Sequence, residues 1–214
     1  MKFFAIPGWA CTANYFDSIQ KNTCFDWSFY NESMSDIDSF LDILQKEKED
    51  FILLAYSLGC LYALENADSL KNCRGLILLS PFASFCGEGR QAKLVERQIK
   101  LMIKGIVQDP AKTIAQFHLN AGSINIETKS FNQAQLKLGL ENLINKKFTG
   151  SNTPIPTLLL RGSDDKIVAK EQFNSLKDLL PSAQVHTFQN APHDLRQEPK
   201  LNKIIANFVE SLHD

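Results

Sequence analysis

Phe51-Ile52-Leu53-Leu54-Ala55-Tyr56-Ser57-Leu58-Gly59 decides how this chain is read. Six apolar residues in a row are about a third of a membrane span and make a strand buried on both faces. Beyond it, Leu58, Leu61, Tyr62 and Leu64 recur at helical spacing, so a helix begins just after Ser57. A serine at this junction, with small Ala55 and Gly59 two positions to either side, has the geometry of a nucleophile elbow. The small neighbours let strand and helix backbones approach, and the helix N-terminus points amides at a developing oxyanion. The plainer alternative is an N-cap serine.

The same alternation extends outward. Phe3 to Ile6 (stopped by Pro7-Gly8), Phe25 to Tyr30, Gly75 to Leu79, Thr157 to Leu160 and Gln184 to Phe188 read as further strands. Asp36 to Lys46, Leu58 to Leu70, Val168 to Leu180 and Pro199 to Leu212 read as helices. Apolar strands separated by helices predict an α/β fold, a parallel sheet covered on both faces. Residues 86–147 hold no convincing strand and at least two helical stretches, so they are expected to be a helical lid inserted over one end of the sheet. Residues 148–156 form the returning loop, leaving 1–85 and 148–214 as the core.

The chain has 214 residues, 44% hydrophobic and 22% charged, which fits one globular domain with an insertion. Twenty-three Lys and Arg against twenty-four Asp and Glu leave a net charge of −1, which excludes a bulk nucleic-acid binder. The opening apolar residues are broken at once by Pro7-Gly8, so no signal-peptide core is expected. Five cysteines form no C-x-x-C pair and have no histidine at ligand spacing, so no metal site is expected. Scattered thiols of this kind predict a reducing, cytoplasmic address and no membrane association.

Two later segments bear on Ser57. Asp164 and Asp165 lie in a turn directly after the strand ending near Leu160, and His193 lies in the loop after the last strand. Parallel sheets assemble their sites at the carboxyl ends of strands, so Ser57, one of the two acids and His193 are expected to converge there. Turn and capping chemistry is the alternative for the acids, and a surface-loop residue the alternative for the histidine.

With those residues in place, the sequence resembles an α/β-hydrolase over nearly its whole length. Ser, Asp and His follow in that family's order. Gly162-x-x-Asp165-x-x-Val168 resembles its G-x-x-D-x-x-V turn, which implies Asp165 rather than Asp164. Pro7-Gly8-Trp9-Ala10 resembles its H-G-W-G turn with proline replacing histidine. The resemblance implies a Ser57–Asp165–His193 triad, oxyanion donors at the amides of Trp9 and Leu58, no cofactor, and a sheet about two strands short of the full family core. Within the family, Ser80-Pro81-Phe82-Ala83-Ser84 and Leu138-Gly139-Leu140-Glu141-Asn142-Leu143 are similar to stretches of the pimeloyl-[acyl-carrier protein] methyl ester esterases of biotin synthesis.

Arg90, Lys93, Arg97, Lys100 and Lys104 recur at spacings of three and four, forming one basic stripe on a lid helix. Val95, Ile99, Met102, Ile103 and Ile106 form its opposing apolar face. Such a stripe is a solvated face or, above the active-site mouth, a docking surface for an acidic acyl carrier protein. A general small-acyl carboxylesterase or thioesterase is the competing enzymatic reading. A non-catalytic binding protein on a hydrolase scaffold is the reading from another class.

Overall fold

Six strands build one sheet in the computed structural model, which describes residues 1–123, 130–150 and 153–212. They are β1 (Lys2–Ile6), β2 (Thr23–Cys24), β3 (Phe51–Tyr56), β4 (Cys73–Leu79), β5 (Thr157–Gly162) and β6 (Gln184–Phe188). Their spatial order is β2-β1-β3-β4-β5-β6, and every pairing is parallel. The chain therefore reverses its direction of travel across the sheet between β1 and β3, where α/β folds open a crevice at the strand ends.

Side chains alternate between two cores. Leu53, Ala55, Leu76 and Leu78 face one side, where α1 (Ile37–Lys46) and α2 (Leu58–Asn66) pack. Ile52, Leu54, Tyr56, Ile77 and Leu79 face the other, against Tyr15, Phe16 and α7 (Leu201–Glu210). Between β4 and β5 run α3 (Gly89–Gln108), α4 (Pro110–Ala121) and α5 (Gln133–Asn145), and α6 (Lys170–Leu179) follows β5. The expected insertion over 86–147 and the expected loop over 148–156 fall in part on 124–129 and 151–152, outside the described residues.

One expected strand is corrected. Only Thr23 and Cys24 pair with β1, and Phe25 to Tyr30 run as loop. Asp26 Oδ1 accepts the Ser28 amide and Ser28 takes a left-handed φ of 55°, a turn that lifts the chain off the ladder. Its aromatic residues are nonetheless core: Phe25, Trp27 and Phe29 are buried. Helix boundaries also move, the last helix running only from Leu201 to Glu210. The helix after β3 ends at Asn66 and passes into a 3-10 turn, and α6 starts at Lys170, after the turn in which Asp165 accepts the Ile167 and Val168 amides.

Candidate active site

Among the described residues, four of the five non-glycines with left-handed backbone follow strand ends on one edge of the sheet: Ala10, Ser57, Ser80 and Asn190. Such strain persists only where the surroundings enforce it, and it concentrates at functional sites. At Ser57 (φ 50°, ψ −115°) the enforcing contact is Gly59, where a Cβ would lie 2.1 Å from the Ile6 carbonyl oxygen. The opening of α2 is thus pressed against the end of β1, and only a glycine fits. Although Ser57 sits at the N-cap position of α2, among the described residues its side chain caps no amide of that helix. Its hydroxyl turns the other way.

That hydroxyl lies 3.0 Å from His193 Nε2, and His193 Nδ1 lies 2.7 Å from Asp165 Oδ2. A carboxylate only accepts, so Nδ1 carries the proton and Nε2 is left as the acceptor facing Ser57. Asp165 is held in turn by the Ile167 and Val168 amides, both 2.8 Å from Oδ1. Burial pushes this carboxyl upward, but the adjacent His193 imidazole, its hydrogen bond and the two amides prevail and hold it below the usual carboxylate value. Asp164 is exposed, and among the described residues its carboxylate accepts only the neighbouring Ser163 hydroxyl. Gly162, which opens the acid turn, would place a Cβ 2.1 Å from the Ala191 carbonyl oxygen, so the acid turn and the histidine loop touch backbone to backbone.

His193 is fully buried and Ser57 is 4% exposed. Several groups fix the histidine from behind. Ser80 Oγ donates to the His193 carbonyl at 2.6 Å. The Tyr56 ring lies 5.1 Å away and stacks at 4.3 Å on Tyr15, whose hydroxyl donates to Asp194. Arg196 clasps Asp194 through Nε and Nη2 and covers the Tyr15 ring at 4.2 Å. Of these residues, Ser80 was open to sequence reasoning through its place at the end of β4.

The loop after β1 leans on Ser57: a Cβ on Gly8 would stand 3.1 Å from Ser57 Cβ. Among the described residues, neither the Trp9 nor the Leu58 amide donates to a backbone acceptor in a turn or loop. The loop itself is pinned through other atoms. Trp27 Nε1 donates to the Pro7 carbonyl at 2.7 Å, and Trp9 Nε1 donates to the Leu136 carbonyl at 2.8 Å. These donors escape sequence reasoning, because the groups they hold are backbone carbonyls that leave no signature.

A cavity of about 1540 Å³ opens beside the site between α3, α4, α5 and α6. Val95, Ile99, Met102, Leu140 and Leu143 line its apolar side, and Asp165 is on its wall, whereas Ser57 and His193 are not. Arg90, Lys93, Arg97, Lys100 and Lys104 are all exposed on α3, but none lines the cavity. Ile99 and Ile106 turn the opposite side of α3 into the core. Among the described residues no group of His, Cys, Asp and Glu is placed to hold a metal, and no helix is long and apolar enough to cross a membrane.

A neutral imidazole accepting from a serine hydroxyl, with its other nitrogen fixed by a carboxylate, can turn the hydroxyl into a nucleophile. A family model described as serine aminopeptidase, S33, matches residues 20–200, a span that includes Ser57, Asp165 and His193. No curated protein matches the sequence. Among solved structures the fold is similar to an esterase from Exiguobacterium antarcticum at 14% identity, covering 100% of this chain and 92% of that one with a TM-score of 0.77. It is also similar to a thermophilic esterase from Thermogutta terrifontis (14%, 100% and 91%, TM-score 0.78) and to a bromoperoxidase from Bacillus anthracis (15%, 98% and 92%, TM-score 0.73).

Proposed function

We propose, from the premise that this chain belongs to the serine aminopeptidase S33 family of α/β-hydrolases, that it is a serine carboxylic-ester hydrolase acting on the methyl ester of a pimeloyl-acyl carrier protein. The observation that carries the hydrolase part is the continuous line from Ser57 Oγ through His193 to Asp165. His193 Nε2 takes the hydroxyl proton as Oγ attacks the ester carbonyl, and Asp165 stabilises the imidazolium that forms. The amides of Leu58 and Trp9 receive the oxyanion. His193 then gives its proton to the departing methanol, and a water activated by the same nitrogen releases the acid from Ser57. None of these steps calls for a cofactor.

The substrate part rests on the cavity and on the outer face of α3. The apolar wall of the cavity suits an acyl chain, and its contact with Asp165 brings that chain beside the reacting centre. The five exposed cations on α3, with Leu94 and Leu101 also exposed on the same helix, suit an acidic carrier that buries an apolar edge. In this reading α3–α5 form a lid, and the enzyme works in the cytoplasm.

Labelling by a fluorophosphonate tests the chemistry: wild type is expected to label and Ser57→Ala is not. Complementation of a biotin-requiring strain that lacks its own esterase tests the substrate. Rates on carrier-linked methyl esters, free short-chain esters, thioesters and aminoacyl anilides rank the acyl classes. A chain that neither labels nor hydrolyses any of them would be a binder on a hydrolase scaffold.

A further inference from the structure

Ala10 closes the loop that carries Trp9, and its backbone is left-handed at φ 56°. Alanine disfavours that conformation, so something must hold it. Its carbonyl oxygen accepts two hydrogen bonds, from Tyr30 Oη at 2.8 Å and from His118 Nε2 at 3.0 Å. A carbonyl cannot donate, so the His118 proton facing it is on Nε2. Tyr30 comes from the loop after β2, and His118 is a buried residue of α4.

The neighbours of His118 touch the remaining parts of the site. Phe117 meets the Trp9 indole edge-on at 4.8 Å. The Ala121 carbonyl accepts the amide of Asp194, the residue directly after His193, at 2.9 Å. Gly122 packs on Pro192, the residue directly before it, so closely that a Cβ would lie 2.6 Å from the ring. The last turns of α4 thus grip both the loop bearing Trp9 and the loop bearing His193.

We propose that His118 is a positioning residue: through the Ala10 carbonyl it holds the loop after β1 so that the Trp9 amide stays aimed beside Ser57. The C-terminal half of α4 is then part of the frame of the active site, fixed to it rather than swinging over it. Without the His118 bond, Ala10 can relax out of its left-handed state and turn the neighbouring peptide away. This inference rests on the hydrolase reading, in which that amide receives the oxyanion.

The test compares four variants with wild type in hydrolysis of a p-nitrophenyl ester, with thermal melts as the check on folding. His118→Leu is expected to lower kcat about 10- to 100-fold with KM within about twofold, short of the roughly 10²–10³ that loss of a whole oxyanion donor costs. His118→Gln, whose side-chain nitrogen can reach the same carbonyl, should recover kcat to within about threefold. His118→Asn, shorter by one methylene and still polar, should behave like leucine and replaces it if the leucine variant does not fold. Tyr30→Phe should lose only several-fold, because Tyr30 is a half-buried loop residue and His118, buried on α4, keeps its bond. Unchanged kcat in folded leucine or asparagine variants, equal damage from glutamine, or a change in KM alone would each overturn the proposal. A wild type that neither hydrolyses the ester nor takes a fluorophosphonate defeats the hydrolase reading itself, whereas an active wild type with indifferent variants defeats only the role of His118.

Discussion

The carboxyl edge of the sheet and the outer face of α3 both carry charge, under opposite conditions. At the sheet edge, the side chains of Asp165, His193 and Asp194 are buried, each in contact with a partner at 2.6 to 3.0 Å. On α3, five cations stand in solvent, and among the described residues only Lys100 has an ion-pair partner, Glu96. Buried charge acts through geometry, since a shift of an ångström undoes it. Exposed charge acts through its field, which reaches about 10 Å in 0.1 M salt and barely depends on side-chain pose. The contrast predicts large, salt-insensitive effects at the edge and small, salt-sensitive ones on the helix.

The largest effect is expected at Ser57. Ser57→Ala should lower ester turnover by at least about 10³-fold while the melting temperature holds, and activity within about tenfold of wild type would sink the triad. Next come the adjacent acids. Asp165→Asn should cost about 10²- to 10⁴-fold in kcat, because the amide can no longer hold the imidazole proton on Nδ1, whereas exposed Asp164→Asn should stay within about twofold. The reverse ranking would mean that an exposed carboxylate outweighs a buried one.

Asp194 sharpens the comparison through stability. Burial raises its carboxyl, but the Arg196 hydrogen bonds and charge prevail and set it below the usual value. Removing the charge leaves Arg196 unpaired at 25% exposure, so Asp194→Asn should cost about 2 kcal/mol at pH 7 in urea unfolding. The folded-state value is the lower one, so the stabilisation is complete above the unfolded carboxyl's value of about 3.9 and is lost as pH falls further. The gap between wild type and variant should therefore close below about pH 4, and a gap that persists there would assign it to packing.

The smallest effect belongs to α3. Arg97→Glu with Lys100→Glu should slow turnover of a carrier-linked ester several-fold through association, fade with added salt, and leave a small neutral ester unchanged. Equal losses on both esters would mean that the helix itself was disturbed.

What could be read from the residues follows the same division. Buried parallel strands write themselves as apolar runs, so β1, β3, β4, β5 and β6 were visible with their ends within a residue or two. The meeting of Ser57, His193 and one of two acids was visible because they follow strand ends that share one edge, whereas Asp165 was singled out from Asp164 only by the family resemblance. The stretch from Phe25 to Tyr30 misled because aromatic burial, which a strand and a pinned loop share, outweighed the turn made by Asp26 and Ser28. The stripe on α3 was legible as a helix face. Its direction relative to the cavity was not, since that depends on how α3 rolls onto Ile99 and Ile106 in the finished fold. Tyr30, Trp27 and His118 stayed hidden because each serves a backbone carbonyl far away in sequence.

Ser57 and His193 meet across 136 residues of chain. A ribosome adding roughly 5–20 residues per second delivers the histidine roughly 7–27 seconds after the serine. Throughout that interval the elbow, the β1 loop and the helices between β4 and β5 can already be taking shape, yet the hydroxyl has no base beside it. The newborn chain therefore holds Ser57 without the histidine that faces it until β6 and the loop after it have been made.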